Sequence, residues 1–298
     1  MSDPRAKGIG AEAPLVSVIV PTFNRGPYLE RCLRSILDQT YRRLECLVMD
    51  GGSQDDSPAI LQRLAAADPR LRFISEPDQG EVEATNKGLD LVRGEIVGIQ
   101  GSDDFYVPDA VETSVAFLLG HLEYIGVGGD VLYVDAAGKS LGRGAVTYRG
   151  GLRPERLKRI LLCRYVVSPV MHGTFFGWRE RLARHGKFNP EFSVCPDTEF
   201  YLRVLAGGDR LGCLPRVQTY YTVHPDMGAM KYYHRVREQL SRLYAQHGLR
   251  WYHHLFRLTV GRAATYLANP MRSPFFPGLA RELRELWTMR LRGKVSKR

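Results

Sequence analysis

The first 120 residues alternate short apolar runs with segments of helical periodicity, and this alternation limits the fold more than any other feature of the chain. Residues 16–20 form a β-branched run closed by Pro21, which predicts a strand buried on both faces. Residues 28–37 then place apolar side chains at helical spacing. The pattern continues with predicted strands at 44–49, 71–75 and 95–100 and predicted helices at 56–67, 81–92 and 108–119. We therefore predict an α/β fold with a mostly parallel central sheet and helices on both faces.

The second half of the chain is less regular. Its patterns predict a hairpin beginning at 127–133, a basic helix at 154–164, a strand at 173–178, a helix at 198–205 and a strand at 211–223. From residue 230 onward the sequence is helical, aromatic and basic. A chain of 298 residues can form one large domain or one domain with an appendage. We expect a domain over residues 14–225 and a helical C-terminal region over residues 226–298.

Charge is distributed unevenly along the chain. The sequence holds 42 Lys+Arg and 32 Asp+Glu, a net charge of +10, but residues 201–298 carry +13 and the first 200 residues carry −3. An apolar fraction of 44% is ordinary for a globular protein and excludes an intrinsically disordered or collagen-like chain. The basic C-terminal region therefore needs an explanation separate from that of the nearly neutral body.

The cysteines and the apolar runs bear on where the protein works. The cysteines are scattered without a Cys-x-x-Cys pair, which argues against a disulfide framework and a zinc site and favours a reduced, cytoplasmic location. Residues 1–13 lack the apolar core of a secretory signal. The longest apolar window, at 255–267, is interrupted by Arg257 and Arg262, so no membrane-spanning segment is expected.

Polar residues follow three of the predicted buried strands. They are PTFN at 21–24, DGGS at 50–53 and GSDD at 101–104, and the loop EPDQG at 76–80 follows a further strand. Ligands bind at the carboxyl ends of strands in sheets of this kind, so we expect these segments to converge on one crevice.

The acidic residues at these strand ends each have a functional and a structural interpretation. Asp103 and Asp104 repel one another unless they are neutralised, and a divalent cation with bound phosphates is a common solution, although capping of the next helix is the alternative. Asp50 can accept a hydrogen bond from a nucleotide base or belong to a plain β-turn. No G-x-G-x-x-G follows the first strand and no Walker A sequence is present, so a glycine-rich phosphate loop of either type is excluded.

Asp197 lies in the segment CPDTEFYLRV, at or just before the first turn of a predicted helix. The helix dipole would stabilise its carboxylate there. The residue is either a helix cap or a general base presented toward the crevice.

Taken together, these segments resemble a known family. The ordered motifs VSVIVPTFNR, LVMDGGSQDDS, EPDQGEVEATNKGLDLVRGEIVGIQGSDDFYVPDA and CPDTEFYLRV are similar to the signature of family 2 inverting glycosyltransferases, in particular enzymes that build bacterial cell-surface polysaccharides. The resemblance covers residues 14–221 and implies the A-type nucleotide-diphospho-sugar transferase fold, with the catalytic domain at 14–225.

The resemblance implies a role for each matching residue. Asp197 would be the catalytic base, and Asp103 would be the last acid of an Asp-x-Asp motif, which contacts ribose, metal or both. Asp103 and Asp104 are both candidate metal ligands, and the sequence leaves open which of them binds. The first acid of that motif is replaced here by Gly101, and the Arg often found before Asn86 is replaced by Thr85. The implied donor-binding residues are Pro21, Thr22, Asn24, Asp50, Asn86, Lys87, Ser102 and Asp103.

The resemblance also implies a reaction and its participants. A Mg²⁺ or Mn²⁺ ion would bridge the phosphates of a UDP-, GDP- or dTDP-linked sugar, and the acceptor would be a glycan or lipid-linked hydroxyl. Lys87, Arg25 and His224 are further candidates for phosphate contacts, and His172 faces the expected acceptor side unless it is packed in the core. A catalytically inactive sugar-nucleotide-binding module, which Gly101 hints at, and a nucleotidyltransferase are the alternatives.

The basic C-terminal region mixes Arg with aromatic and aliphatic residues at helical spacing. This composition is typical of helices that lie on an anionic bilayer, which would place the protein peripherally on the inner face of the cell membrane. A helical appendage packed on the domain is the alternative. Nucleic acid is not an expected partner, because no recognised reader motif is present.

Overall fold

The computed structural model describes residues 13–144, 152–154, 170–224 and 233–247. The predicted helix at 154–164, apart from its first residue, and the tail beyond residue 247 lie outside these ranges. Over the residues that are described, no helix is long and apolar enough to cross a membrane.

One mixed sheet organises the described residues. Its strands run in the order β3-β2-β1-β4-β8-β6-β9-β5, and β7 pairs with β6. The strands are β1 Val16–Thr22, β2 Leu44–Asp50, β3 Leu71–Ser75, β4 Ile96–Ile99, β5 Phe105–Tyr106, β6 Gly126–Val134, β7 Ser140–Gly144, β8 Phe176–Trp178 and β9 Leu211–Thr222.

The parallel arrangement predicted from the sequence is found in the first half of the sheet. There β1 pairs in parallel with both β2 and β4, and β2 pairs in parallel with β3. In the second half β6 and β9 are parallel, whereas β8 joins β4 and β6 in antiparallel pairings and the β6–β7 hairpin is also antiparallel. The predicted strand at 173–178 is shorter in the structure, because His172–Thr174 forms a 3₁₀ turn before β8.

Helices cover both faces of the sheet, as predicted. α1, α2 and α4 pack on one face, in one apolar core, while α3, α5 and α6 pack on the other. Alternate side chains of β1 supply both cores, because Val16, Val18 and Val20 face the first and Ile19 the second. The helices are α1 Gly26–Leu37, α2 Ser57–Ala67, α3 Glu81–Leu91, α4 Ala110–Gly120, α5 Arg179–Ala183, α6 Pro196–Ala206 and α7 Tyr233–Gln246.

The register of the strands places their polar ends side by side. Thr22 at the end of β1 pairs with Asp50 at the end of β2, and Asp50 pairs with Ser75 at the end of β3. On the other side of β1, Ile19 pairs with Ile99 of β4, so the segment after β4 opens at the same edge. The convergence expected from the sequence therefore follows from these pairings.

Candidate functional site

Asp50 is buried at the end of β2 and its carboxylate is held by two serines. The hydroxyls of Ser53 and Ser75 each donate to it at 2.5 Å, and the Ser53 amide lies 3.2 Å from both of its oxygens. These donors fix the carboxylate at the edge of the crevice as an oriented hydrogen-bond acceptor.

The loop after β1 is tied to the loop after β2. The backbone amide of Asn24 donates to Ser53 Oγ at 2.7 Å, and the side-chain Oδ1 of Asn24 accepts from the backbone amide of Gln54 at 2.9 Å. Asn24 has a φ of 52°, a left-handed conformation that Asn adopts more readily than most residues. Beside it, the Phe23 ring is 56% exposed, although large apolar side chains are usually covered.

Pro21 and Thr22 form the buried end of β1 beneath that loop. The Thr22 hydroxyl has no hydrogen-bond partner among the described residues, although it is buried. A buried hydroxyl without a partner is costly, so this atom is suited to meet a polar ligand group.

Asp103 and Asp104 follow β4 but point to different partners. Asp104 is buried, and its Oδ1 accepts from the Thr222 amide of β9 at 2.7 Å. Burial, together with the negative charge of Asp103, raises the pKa of Asp104 well above its ordinary value. Asp103 is partly exposed, and its Oδ2 lies 3.0 Å from His224 Nε2 and 3.7 Å from Arg25 Nε. Asp104 thus serves the packing of β9, while Asp103 faces the crevice.

His224 is buried directly beside Asp103. Its ring stacks on Tyr28 of α1 with a centroid distance of 4.7 Å, and its Nδ1 has no hydrogen-bond partner within the described ranges. The sequence predicts only that His224 could contact phosphate, because no local sequence pattern shows that the end of β9 lies beside the tip of β4. The 121-residue separation from Asp103 hides this pairing from any analysis of short motifs.

Asp103 and His224 suit a hard divalent cation that is completed by other ligands. The Asp103 carboxylate is the kind of oxygen ligand that such a cation prefers, and His224 Nε2 lies 3.0 Å from Asp103 Oδ2, within hydrogen-bond distance. The described residues contain no group of three or more His, Cys, Asp or Glu side chains with metal-binding geometry. A cation here would therefore take its remaining ligands from substrate and water, as Mg²⁺ sites commonly do.

Gly101 occupies the position of the first acid in the Asp-x-Asp motif that the resemblance implies. A Cβ atom at this position would lie 3.2 Å from Asp103 Oδ1 and 3.3 Å from Asp104 Oδ2. Because a further carboxylate would be pressed against two existing ones, the glycine is compatible with the close Asp103 and Asp104 pair.

Asp197 lies in the first turn of α6, two residues after the N-cap Cys195 and directly after Pro196. Its Oδ1 accepts from the Thr198 amide at 2.6 Å. The first turn gives the carboxylate the favourable end of the helix dipole, which stabilises its charged form.

Glu81 is a fourth acidic residue at the crevice, beside Asp50, Asp103 and Asp197, and the sequence does not single it out. It is the first residue of α3 and its side chain is exposed. Desolvation by the surrounding protein atoms is the main cause that raises the pKa of Glu81, followed by the negative charges of Asp197 and Asp103. The positive charge of Arg25 lowers the pKa in part. An acid in the first turn of a helix is common for dipole reasons alone, so no sequence signal separates Glu81 from ordinary cases.

Asn86, Lys87 and Ser102, the remaining predicted donor contacts, have other surroundings. The Asn86 amide exchanges two hydrogen bonds with the Phe188 backbone, at 2.9 and 3.0 Å. The Lys87 ammonium pairs with Glu76 at 2.9 Å and Glu83 at 3.0 Å. Ser102 is buried after β4. The structure thus uses Asn86 and Lys87 to fasten α3 to its neighbours, and their role as donor contacts stays a prediction.

His172 is packed, which is the second of its two interpretations. Its ring stacks on Phe188 at a centroid distance of 5.2 Å and meets Tyr201 edge-on. Burial lowers the pKa of His172 to about 4, so the ring is neutral near pH 7.

Comparisons with known proteins agree with the resemblance seen in the motifs. Residues 17–186 match the model of the family described as "Glycosyl transferase family 2". Chondroitin synthase of Escherichia coli is 46% identical over 99 residues, which are 33% of this chain and 14% of that protein. An uncharacterized glycosyltransferase of Haemophilus influenzae is 27% identical over 238 residues, 77% of this chain and 72% of that protein. The chain thus spans a small part of the chondroitin synthase and nearly three quarters of the Haemophilus protein.

Solved structures share the fold. TarS 1–349 of S. aureus, in complex with UDP-GlcNAc, has a TM-score of 0.60 and 20% identity, covering 77% of this chain and 66% of that one. The mannosyltransferase PcManGT of Pyrobaculum calidifontis, in complex with GDP-Man and Mn²⁺, has a TM-score of 0.58 and 27% identity, covering 79% and 64%. The predicted fold class is confirmed by these similarities.

Proposed function

Because the chain belongs to glycosyl transferase family 2, we propose that it is an inverting glycosyltransferase that acts in the synthesis of a surface polysaccharide. The donor is a sugar linked to a nucleoside diphosphate, and the acceptor is a hydroxyl of a glycan or lipid-linked glycan. The observation that carries the proposal is the presence of Asp50, Asp103 and Asp197 around one crevice at the carboxyl ends of β1, β2 and β4.

The nucleoside end of the donor fits the loops after β1 and β2. Asp50 is an oriented acceptor for a base N–H, and the exposed Phe23 ring offers an apolar surface for the base. The Thr22 hydroxyl, at the end of β1, and Asn24, in the loop that follows, flank Phe23 in the chain. TarS is described in complex with UDP-GlcNAc and PcManGT with GDP-Man, which supports UDP-, GDP- or dTDP-linked sugars as the donors to test.

The diphosphate fits beside Asp103 and His224. A Mg²⁺ or Mn²⁺ ion held by Asp103, with His224 alongside, would supply the positive charge that stabilises the departing nucleoside diphosphate. The Mn²⁺ in the PcManGT complex supports this choice of ion. This proposal places the ion on Asp103, because Asp104 is more deeply buried and its Oδ1 already accepts from the Thr222 amide, and the prediction of Asp104 as a metal ligand stays untested.

Asp197 acts as the general base. It removes the proton of the acceptor hydroxyl, whose oxygen bonds to the anomeric carbon as the bond from that carbon to the nucleoside diphosphate breaks. Attack from the opposite face inverts the configuration in a single step, without a covalent intermediate. The first turn of α6 places Asp197 at the positive end of the helix dipole, which favours the carboxylate form that a general base requires.

The basic C-terminal region would hold this enzyme on the inner face of an anionic membrane, where a lipid-linked acceptor is found. Residues 226–298 hold 15 Lys+Arg and 4 Asp+Glu, a net charge of +11, which supports this part of the proposal. Flotation of the full chain with vesicles containing anionic lipid, at low and high salt, tests it. The full chain failing to float at low salt would contradict the membrane role.

Two measurements test the enzymatic proposal. A thermal-shift screen with UDP-, GDP- and dTDP-sugars and Mn²⁺ identifies the donor, because a ligand that binds the native state raises its melting temperature. Transfer is then compared among the wild type, Asp197→Asn and the exposed surface control Asp38→Asn.

We expect Asp197→Asn to reduce transfer to a small residual rate and to leave the donor-induced thermal shift intact, whereas Asp38→Asn should transfer at the wild-type rate. Transfer should also stop in excess chelator and return with added Mn²⁺. Near wild-type transfer by Asp197→Asn would refute its role as base, and undiminished transfer in chelator would refute the metal. Donor binding by a wild type that shows no transfer would favour the inactive binding module.

A further inference from the structure

Helix α7 lies outside the expected catalytic domain of residues 14–225, yet it packs on the segment that leads into α6. Leu243 is buried against Phe192, Cys195 and Leu202, with Leu240 alongside. These four buried residues form a small apolar core of their own, separate from the two cores that flank the sheet.

Gln239 of α7 makes polar contacts to this segment from the same helix face. Its Oε1 accepts from the Val194 amide at 3.1 Å and from the Cys195 thiol at 3.5 Å, and its Nε2 donates to Ser193 Oγ at 3.4 Å. Gln239 is itself 9% exposed. Gln239 thus joins α7 to the backbone of Val194 and to the side chains of Ser193 and Cys195.

The residues that Gln239 holds come directly before Asp197. Cys195 is the N-cap of α6, and its carbonyl accepts from the Glu199 amide at 3.2 Å. Pro196 follows with a fixed φ, so the direction of the chain at Cys195 determines where the first turn of α6 points. The contact between Gln239 and residues 193–195 therefore lies directly on the path of the chain into Asp197.

We propose that Gln239 is a positioning residue for Asp197 and that α7 is a part of the catalytic unit. This inference rests on the proposed role of Asp197 as base. A displacement of a catalytic group by about 1 Å can reduce the rate about a hundredfold. Loss of the Gln239 contacts should accordingly slow the chemical step without changing how the donor binds.

The test compares three single variants in the full chain. Gln239→Met keeps the length of the side chain but removes its acceptor, whereas Gln239→Glu keeps an acceptor for the Val194 amide. Glu238→Gln changes a neighbouring exposed residue of the same helix and is the matched control. We expect Gln239→Met to lower kcat about ten- to a hundredfold with an unchanged KM for the donor, and Gln239→Glu to recover most of the rate.

A second comparison separates positioning from a general loss of stability. If Gln239 acts through Asp197, the Gln239→Met change should have no further effect on the residual rate of Asp197→Asn. Melting temperature and donor-induced thermal shift are measured for every variant, so that an unfolded protein is recognised.

The possible failures are distinguishable. Full activity of Gln239→Met, beside an inactive Asp197→Asn, would overturn this inference and leave the proposed function in place. An equal loss of rate in the wild-type and Asp197→Asn backgrounds would also overturn it. Full activity of Asp197→Asn would instead refute the proposed base.

Discussion

Glu45 provides a sharp test of the electrostatics at the end of the sheet opposite the crevice. It is buried in β2, where its carboxylate accepts from Ser17 Oγ and the Arg93 amide, each at 2.7 Å, and from Arg93 Nε at 3.0 Å. Arg72 also lies 3.1 Å away. Burial alone would raise the pKa of Glu45, but the hydrogen bonds from Ser17 and Arg93 outweigh it and lower the pKa to about 2.

The size of this effect on stability follows from the pKa difference. The ordinary value is 4.5 and the folded value is about 2, and each unit corresponds to about 1.36 kcal/mol, so the ionised Glu45 contributes roughly 3 kcal/mol to the free energy of unfolding. Because the folded pKa is depressed, the contribution is complete above about pH 4.5 and is lost as the pH falls toward 2.

Urea unfolding of the wild type and Glu45→Gln at pH 7, 5, 4 and 3 measures this contribution. We expect the variant to be less stable by about 3 kcal/mol at pH 7, and the gap to shrink by roughly 2 kcal/mol between pH 5 and pH 3. Glu95→Gln, at an exposed position near the same end of the sheet, should show no such convergence. A difference in the free energy of unfolding between the wild type and Glu45→Gln that stays constant with pH would refute the reasoning.

Three further predictions concern the crevice and the packing beneath it. His224→Ala should weaken Mn²⁺ binding in the presence of nucleoside diphosphate by about tenfold or more in calorimetry, and unchanged affinity would contradict the cation site. Asp104→Asn should keep its bond from the Thr222 amide and lose less than about 1 kcal/mol of stability in urea unfolding, whereas a larger loss would indicate that the ionised form is needed. Gly88→Ala should cost about 1–3 kcal/mol, seen as a lower melting temperature, because its Cβ would lie 2.7 Å from Ile19 Cγ2; an unchanged melting temperature would show that α3 can shift away from β1.

The first half of the fold is predictable from sequence because local pattern and tertiary environment agree there. The β-branched run of β1 is buried on both faces, and the apolar positions of α1 all face one core. The insertion of β8 between β4 and β6 is not predictable in this way. It depends on Phe176 filling the space above Gly98, where a Cβ would lie 2.5 Å from the ring, and such fits between distant segments leave no periodic signal.

The site residues also divide into those that a local sequence motif reveals and those that only the packing of distant segments brings together. Asp50, Asp103 and Asp197 stand in motifs whose types and spacing point to the crevice, and the structure brings them to it. His224 reaches the crevice because β9 ends beside the tip of β4, and Glu81 reaches it because α3 begins there. Both positions depend on how whole strands and helices pack, which short motifs do not show. The sequence also leaves Asp103 and Asp104 equivalent, whereas the Thr222 amide distinguishes them.

The contact between Asp103 and His224 has a consequence for folding. It joins two positions 121 residues apart in the chain. For a cation to bind both side chains in the unfolded chain, a loop of about 100 residues would have to close, which in the chain-entropy model costs roughly 4.7 kcal/mol at 25 °C. Such an ion would therefore bind the native chain in preference to the unfolded one, so the concentration of free metal would set how firmly the end of β9 is held to the tip of β4.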